Sequence, residues 1–285
     1  MSSPKRNVFI IKIINNLNNK LMKKIYTFIL GIVLTGLFVI NANAQVTTNS
    51  GSGLAPTYGS LALAITALNS ATITGPVVIT LTGNETAPAG GYSITQLGGS
   101  ATNTITIQGS SSTVTAYSPQ VAGQKYDAIF KIVGGDWITI QGFTMQENAS
   151  NTVSTVASNT MTEFGVALFA ASTTNGAQNN TIQNNTITLS SATKYQNAIG
   201  IFSTCASSST NGVQVAASIA GTNSNNKFYG NTISGVAQGI YFLAPPQTAT
   251  VFESGNDIGG SSALTGNNIT FGLSLIHISE PTRPY

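Results

Sequence analysis

The stretch Asn179-Asn180-Thr181-Ile182-Gln183-Asn184-Asn185-Thr186-Ile187-Thr188 returns as Asn225-Asn226-Lys227-Phe228-Tyr229-Gly230-Asn231-Thr232-Ile233-Ser234 and, shortened, as Gly266-Asn267-Asn268-Ile269-Thr270. Each copy carries apolar alternation of period two between Asn or Gly turns. One such unit cannot bury its apolar face alone, so its recurrence predicts parallel strands stacked on copies of themselves. Asn suits the turns because its short amide tolerates left-handed backbone and bonds to nearby main chain. Amides of neighbouring copies can also bond to one another along the stack. Asn180, Asn184, Asn185, Asn226, Asn231, Asn267 and Asn268 are the expected structural turn residues.

Working outward, strands are expected at residues 76–82, 103–109, 128–133 and 136–144. Gly-bearing apolar strands at 165–169, 198–202 and 239–242 then alternate with the Asn-flanked pairs. Longer insertions fall at 146–162, 170–177, 203–223 and 243–254, and in stacked repeats such insertions gather on one side and often form a binding face. A helical period is confined to residues 54–70, where Leu61, Ala64, Ile65 and Leu68 share one face. A helix there would cover the first repeat, whose sheet edge would otherwise invite pairing with another chain. The expected fold class is all-β, with residues 45–100 as cap and first turns and 101–272 as repeats. At roughly 22 residues per turn, about ten turns are expected.

Both ends differ from this body. Residues 22–44 read as a secretory signal, with Lys23 and Lys24, an apolar run at 25–40, and the small-x-small site Ala42-Asn43-Ala44 before Gln45. That run is shorter than the roughly 20 residues of a bilayer span, so no stable membrane span is expected after cleavage. Residues 1–21 read as an upstream extension. Leu273-Ser274-Leu275-Ile276-His277-Ile278-Ser279-Glu280-Pro281-Thr282-Arg283 resembles a translated sequencing adapter, so residues 273–285 are expected to be an artefact, with the natural reading cut near Gly272.

The whole chain has 11 Lys and Arg, 8 Asp and Glu, and a formal net charge of +3. Without its two ends it keeps Lys125, Lys131, Lys194 and Lys227 against Glu85, Asp127, Asp136, Glu147, Glu163, Glu253 and Asp257, a net of −3. No cluster of Lys and Arg remains to neutralise phosphates, which excludes nucleic acid as a partner.

The pattern Asn-x-Ile-x-x-Asn-x-Ile at residues 180–187, with Phe228 in the first apolar place of the copy at 226–233, resembles the right-handed parallel β-helix proteins. The resemblance implies a right-handed parallel β-helix, a solenoid, with a short N-terminal helical cap. The leader end Asn41-Ala42-Asn43-Ala44-Gln45, the strand Gly75-Pro76-Val77-Val78-Ile79 and the phrase Asn256-Asp257-Ile258-Gly259-Gly260 are similar to secreted and cell-surface proteins of Bacteroidota. Such proteins commonly end in a sorting domain for type IX secretion. This implies a secreted or cell-surface location, on the exterior of the outer membrane.

The same resemblance brings polysaccharide lyases and glycoside hydrolases into view, whose chemistry needs carboxylate clusters. Paired carboxylates about 5 to 10 Å apart serve glycoside hydrolysis. Asp127 and Asp136, with Lys125 and Lys131 nearby, are the candidates for such a pair, against the plainer reading of solvated turn residues. Glu147 and Glu163 bracket an insertion and read as exposed loop charge, although they could meet at its base. Asp257 stands in a single Gly- and Asp-bearing phrase, whereas calcium turns need aspartates in successive turns, so no metal is expected. The one histidine, His277, lies in the tail, which removes Ser-His-Asp and Cys-His chemistry from residues 45–272. No cofactor is expected. Cys205, the single cysteine, reads as a small buried residue.

A sugar ring can lie on an exposed Trp or Tyr face. Trp137, Tyr117, Tyr126, Tyr195 and Tyr229 are the ligand-binding candidates, while Tyr241 and Phe242 read as core. The expected function is a non-catalytic secreted or cell-surface protein with an adhesive, glycan-contacting or structural role, its partner an extended polysaccharide or surface glycan. The alternatives are a polysaccharide lyase or glycoside hydrolase scaffold, and a spacer stalk for another module.

Overall fold

The computed structural model describes residues 22–24, 45–49, 51–122, 127–189, 197–206, 215–243 and 250–270. The expected leader beyond residues 22–24, the extension at 1–21, the tail from 273, and Tyr126 and Tyr195 lie outside the described residues. The chain divides into two units, Met1–Asn43 and Ala44–Tyr285. In the first, residues 22–24 are helical.

The second unit is all-β with one α-helix. Its strands run in chain order β1 (Val46–Thr48), β2 (Thr57–Tyr58), β3 (Val77–Leu81), β4 (Glu85–Thr86), β5 (Tyr92–Ile94), β6 (Ile105–Thr115), β7 (Ala128–Val133), β8 (Ile138–Gln146), β9 (Phe164–Phe169), β10 (Thr181–Gln183) and β11 (Thr186–Thr188). They continue as β12 (Ile199–Thr204), β13 (Lys227–Tyr229), β14 (Thr232–Ser234), β15 (Gln238–Leu243), β16 (Asp257–Ile258) and β17 (Asn268–Thr270). Helix α1 spans Leu61–Ser70.

The strands form two sheets. The longer has the order β16-β13-β10-β8-β6-β3-β1-β2 and takes in β4, β11, β14 and β17 beside this path; the shorter has the order β15-β12-β9-β7-β5. From β3 onward the pairings are parallel, and the register places chemically similar residues opposite one another. Ile79, Ile107, Ile140, Ile182 and Phe228 form one inward column, each fully buried. Val114, Met145, Ile187 and Ile233 form a second, and Tyr92, Phe130, Val166 and Ile201 a third from the shorter sheet. These columns meet in one core with the buried face of α1. Burying each large apolar side chain contributes about 1.5–3 kcal/mol.

The shorter sheet is apolar on both faces. Every residue of β9 and β12 is buried, and on the far face Phe164 stacks on Phe202 with centroids 4.5 Å apart and planes at 6°. A strand covered on both sides reads as a continuous apolar run, which is how 165–169 and 198–202 read in the sequence.

The helical signal at 54–70 contracts to Leu61–Ser70 because Ser60 closes its start, its hydroxyl accepting from the Leu63 N–H at 3.2 Å. The Glu85 carboxylate accepts from the Leu61 N–H at 2.9 and 3.1 Å, placing negative charge at the helix N-terminus. Leu61, Ala64, Ile65 and Leu68 are buried. The first edge of the longer sheet is covered by β1, which pairs antiparallel with β3 and β2.

The repeat length departs from the expected value of about 22 residues. Equivalent positions on neighbouring strands are separated by 28, 33, 42, 46 and 30 residues along the chain. The insertions and the strands of the shorter sheet lie between those positions. Among the described residues the strands therefore stack in fewer layers than ten.

Candidate functional site

The turns that lead into β10, β11, β13, β14 and β16 follow one rule. The first residue of the Asn-Asn or Gly-Asn pair there has left-handed backbone: Asn179 (φ 57°), Asn184 (φ 54°), Asn225 (φ 60°), Gly230 (φ 60°) and Gly255 (φ 70°). The second is always Asn, and its amide bridges neighbouring strands. Asn180 Oδ1 accepts from the Ile138 N–H at 2.8 Å while its Nδ2 donates to the Gly135 carbonyl at 2.9 Å. Asn226 repeats this with the Asn180 N–H and the Ala177 carbonyl, and Asn256 with the Asn226 N–H and the Asn223 carbonyl. Asn185, Asn231 and Asn267 form a second such ladder. Of the expected turn residues, Asn184 takes the left-handed place, while Asn268 lies in β17, opposite Thr232. Asn179, Asn225 and Asn256 belong to the set and were missed, although position within each pair would have sorted them.

Outside the sheet the register builds polar columns. Gln183 Nε2 donates to Gln141 Oε1 at 2.6 Å, Gln141 Nε2 to Gln108 Oε1 at 2.9 Å, and Gln108 Nε2 to Thr80 Oγ1 at 3.0 Å. Tyr229 continues this column next to Gln183, and its hydroxyl donates to Asp257 Oδ2 at 2.7 Å. That bond raises the affinity of the phenol for its proton. Beside it runs the column Thr106, Thr139, Thr181, Lys227 and Asp257. Further along the same strand pairs, Thr113, Thr144, Thr186, Thr232 and Asn268 make another.

Trp137 sits at the head of these columns, half-buried, in the left-handed turn position with φ 57°. Its main chain is pinned on both sides: the N–H donates to the Gln178 carbonyl at 3.1 Å, and its own carbonyl accepts from the Ile105 N–H at 3.0 Å. With Thr104, Thr139, Thr181, Asn179, Asn225, Gly255 and Lys227 it lines an open groove of about 400 Å³. Trp137 and Tyr229 thus share one face of one sheet. Tyr117 does not belong to it. It follows β6 at the far end, half-buried, and its carbonyl accepts from Asn151 Nδ2 at 2.8 Å.

The carboxylates sort differently from expectation. Asp127 and Asp136 do not pair, because they stand at opposite ends of β7 and six strand residues separate them by roughly 20 Å. Asp136 accepts from the Gln178 N–H at 2.7 Å, and burial raises its pKa. Asp127 meets Glu163 instead. Each precedes a strand, and Ala128 lies opposite Phe164. The Asp127 N–H donates to Glu163 Oε2 at 2.9 Å, and Asn159 Nδ2 donates to Glu163 Oε1 at 3.1 Å. Burial, then the charge of Asp127, pushes Glu163 up to about 9. Burial also raises Asp127 and lowers Lys131 beside it.

Glu147 and Glu163, expected as exposed loop charge, are 7% and 0% exposed. Glu147 Oε2 accepts from the Thr162 N–H at 2.8 Å, and its Oε1 from Thr162 Oγ1 at 2.9 Å and Asn151 Nδ2 at 2.7 Å. These two acids stand at the two ends of the 146–162 insertion. Their hydrogen bonds tie the insertion to the main chain at its two ends. Cys205 is buried and donates to Glu253 Oε1 at 3.0 Å. Burial and that carboxyl push its thiol up to about 12. Among the described residues no group of three or more His, Cys, Asp or Glu side chains is placed to hold a metal ion, and no helix is long and apolar enough to cross a membrane.

A pH dependence follows from the Asp127–Glu163 pair. Glu163 holds its proton to about pH 9 in the fold but releases it near 4.5 when unfolded. Between those values the native state binds more protons than the unfolded state, so stability is greatest at the acid end and declines as pH rises toward 9, by up to about 1.4 kcal/mol per unit. Urea denaturation from pH 5 to 9 is expected to show a falling midpoint. Glu163→Gln is expected to flatten that slope and to be less stable than the parent at pH 5, where it lacks one acceptor.

No family model matches the chain, and no curated protein or solved structure matches it.

Proposed function

We propose that residues 45–270 wind as a right-handed parallel β-helix in an exported, cell-surface type of protein, and that its outer face holds an extended glycan without transforming it. The winding is supported by the parallel register running from β3 to β16 and from β5 to β15. Parallel strands joined by crossovers in one sheet take the right-handed path almost without exception. The observation that carries the binding reading is the outward face itself. Thr and Gln side chains stand in aligned columns at the ~4.8 Å strand spacing, with Trp137 and Tyr229 set among them. Hydroxyls and amides at a regular interval meet the repeated hydroxyls of a polysaccharide, and an aromatic face receives the ring. The best-formed carboxyl pair is buried and holds an insertion, which supports a binding role over hydrolysis.

Affinity electrophoresis of the protein through gels containing a panel of soluble polysaccharides tests this. At least one extended glycan is expected to retard the protein, with no new reducing ends after prolonged incubation. Trp137→Ala is expected to weaken the retardation about tenfold, equivalent to ~1.4 kcal/mol. Migration unchanged by every glycan would overturn the reading.

A further inference from the structure

Two residues break the repeat, and both line the same groove. In the turn column the left-handed place is held by Asn179, Asn225 and Gly255, the residue types that adopt it at little cost. In the neighbouring repeat that place belongs to Trp137, at φ 57°. A bulky side chain in left-handed backbone is an outlier that persists only where its surroundings fix it, and such outliers gather at ligand clamps. In the adjacent column, Thr106, Thr139 and Thr181 are followed by Lys227. Lys227 is exposed, and among the described residues it makes no ion pair. The groove between them, about 400 Å³, lies within the range of roughly 300–1,000 Å³ that small-molecule sites occupy.

Two acids lie near this groove, and both are turned to other partners. Asp257 stands next to Lys227 in register, but its carboxylate accepts from the Tyr229 hydroxyl at 2.7 Å and the Gly260 N–H at 3.0 Å. Asp136 precedes Trp137 and accepts from the Gln178 N–H. Those partners are neutral donors that fix where the two carboxylates point, and Lys227 is the charged residue in the groove's lining.

We propose that this groove is a subsite for an anionic sugar residue, whose ring lies against Trp137 and whose carboxylate or sulfate meets Lys227. The subsite rests on the glycan-binding reading above and narrows it to acidic polymers. Asn179, Asn225, Thr139 and Thr181 supply amide and hydroxyl partners for ring hydroxyls. The ammonium acts as a point charge, so carboxylate and sulfate are both admitted in principle.

The test uses the full chain and glucans that differ only in charge: dextran, carboxymethyl-dextran and dextran sulfate, with hydroxyethylcellulose and carboxymethylcellulose as the β-linked pair. Dissociation constants come from affinity electrophoresis at low salt and at 0.5 M salt. Lys227→Thr installs the residue its neighbours carry and so leaves the fold intact, with far-ultraviolet circular dichroism as the check. The acidic derivatives are expected to bind more tightly than their neutral parents, and K227T to remove that preference, an effect of about fivefold for one exposed charge that fades at high salt. Trp137→Ala is expected to weaken acidic and neutral polymers alike. Preference for the carboxymethyl or for the sulfate derivative identifies the anion. Equal binding of neutral and acidic glucans, or an acidic preference that survives in K227T, would overturn the subsite and leave the glycan reading standing. Binding of none of these polymers while another glycan in the wider panel is bound would overturn the subsite alone, and binding of no glycan at all would overturn both.

Discussion

Gly200→Ala is expected to lower the unfolding free energy by about 2–3 kcal/mol, at the upper end of the range for overpacking one methyl group. A Cβ on Gly200 would collide with Ile233 Cγ2 and come within 2.6 Å of the Gly239 carbonyl oxygen. The first contact is a core side chain from the longer sheet, and the second is main chain of the next strand in the shorter one. Neither can rotate away. The same arrangement recurs at Gly165, against Ile187 and the Gly200 carbonyl, and at Gly239, against Ile269. This glycine column is thus what lets the two sheets close on the isoleucine column of β11, β14 and β17. A double-mutant cycle separates the two contacts. Ile233→Ala alone is expected to cost about 2–5 kcal/mol through the cavity it leaves. Combined with Gly200→Ala, the total should fall short of the sum by at least about 1 kcal/mol, because the methyl then has room. A Gly200→Ala midpoint indistinguishable from that of the parent would mean that the sheets do not approach this closely.

The glycine column shows what the sequence could and could not convey. Gly-bearing apolar runs at 165–169 and 198–202 were legible as strands, since continuous apolar residues mark burial on both faces. That the glycine packs against an isoleucine of the facing sheet needs the fold, because Gly200 and Ile233 belong to different strands. The Asn-x-Ile blocks were legible because one side-chain type satisfies two constraints at once, left-handed backbone at the first place of a pair and a bridging amide at the second. The carboxyl pair was not. Asp127 and Glu163 are 36 residues apart and meet only because β7 and β9 pair with Ala128 opposite Phe164. Each stands one residue before its strand, so the signal existed, but it becomes readable only once the register is known. Insertions of unequal length hid the repeat period for the same reason: they lengthen the chain between equivalent positions without moving those positions in space. The groove was half legible. Trp137 was a candidate for its ring, while Lys227 stood among the charges without a role, and its departure from a threonine column appears only after β8, β10 and β13 are aligned.

Asn180→Ala is expected to cost about 2–5 kcal/mol, more than a surface-turn substitution could. The Asn180 side chain is fully buried and satisfies two main-chain groups, the Ile138 N–H at 2.8 Å and the Gly135 carbonyl at 2.9 Å. Alanine leaves both buried without partners, at about 1–3 kcal/mol each. Asn184→Gly supplies the contrast. Asn184 holds the left-handed place, φ 54°, that Gly230 takes in the next repeat, so glycine there is expected to change stability by no more than about 1 kcal/mol. Chemical denaturation of the two variants side by side distinguishes the two roles within what looks in the sequence like one run of asparagines. If Asn180→Ala were as mild as Asn184→Gly, water would be reaching the Ile138 N–H and the Gly135 carbonyl, and the ladder would not be what sets the register. If it is severe, the register of β8, β10 and β13 depends on these amides. The placement of Trp137 beside Lys227 then depends on them as well, since that groove exists only while the three strands stay aligned.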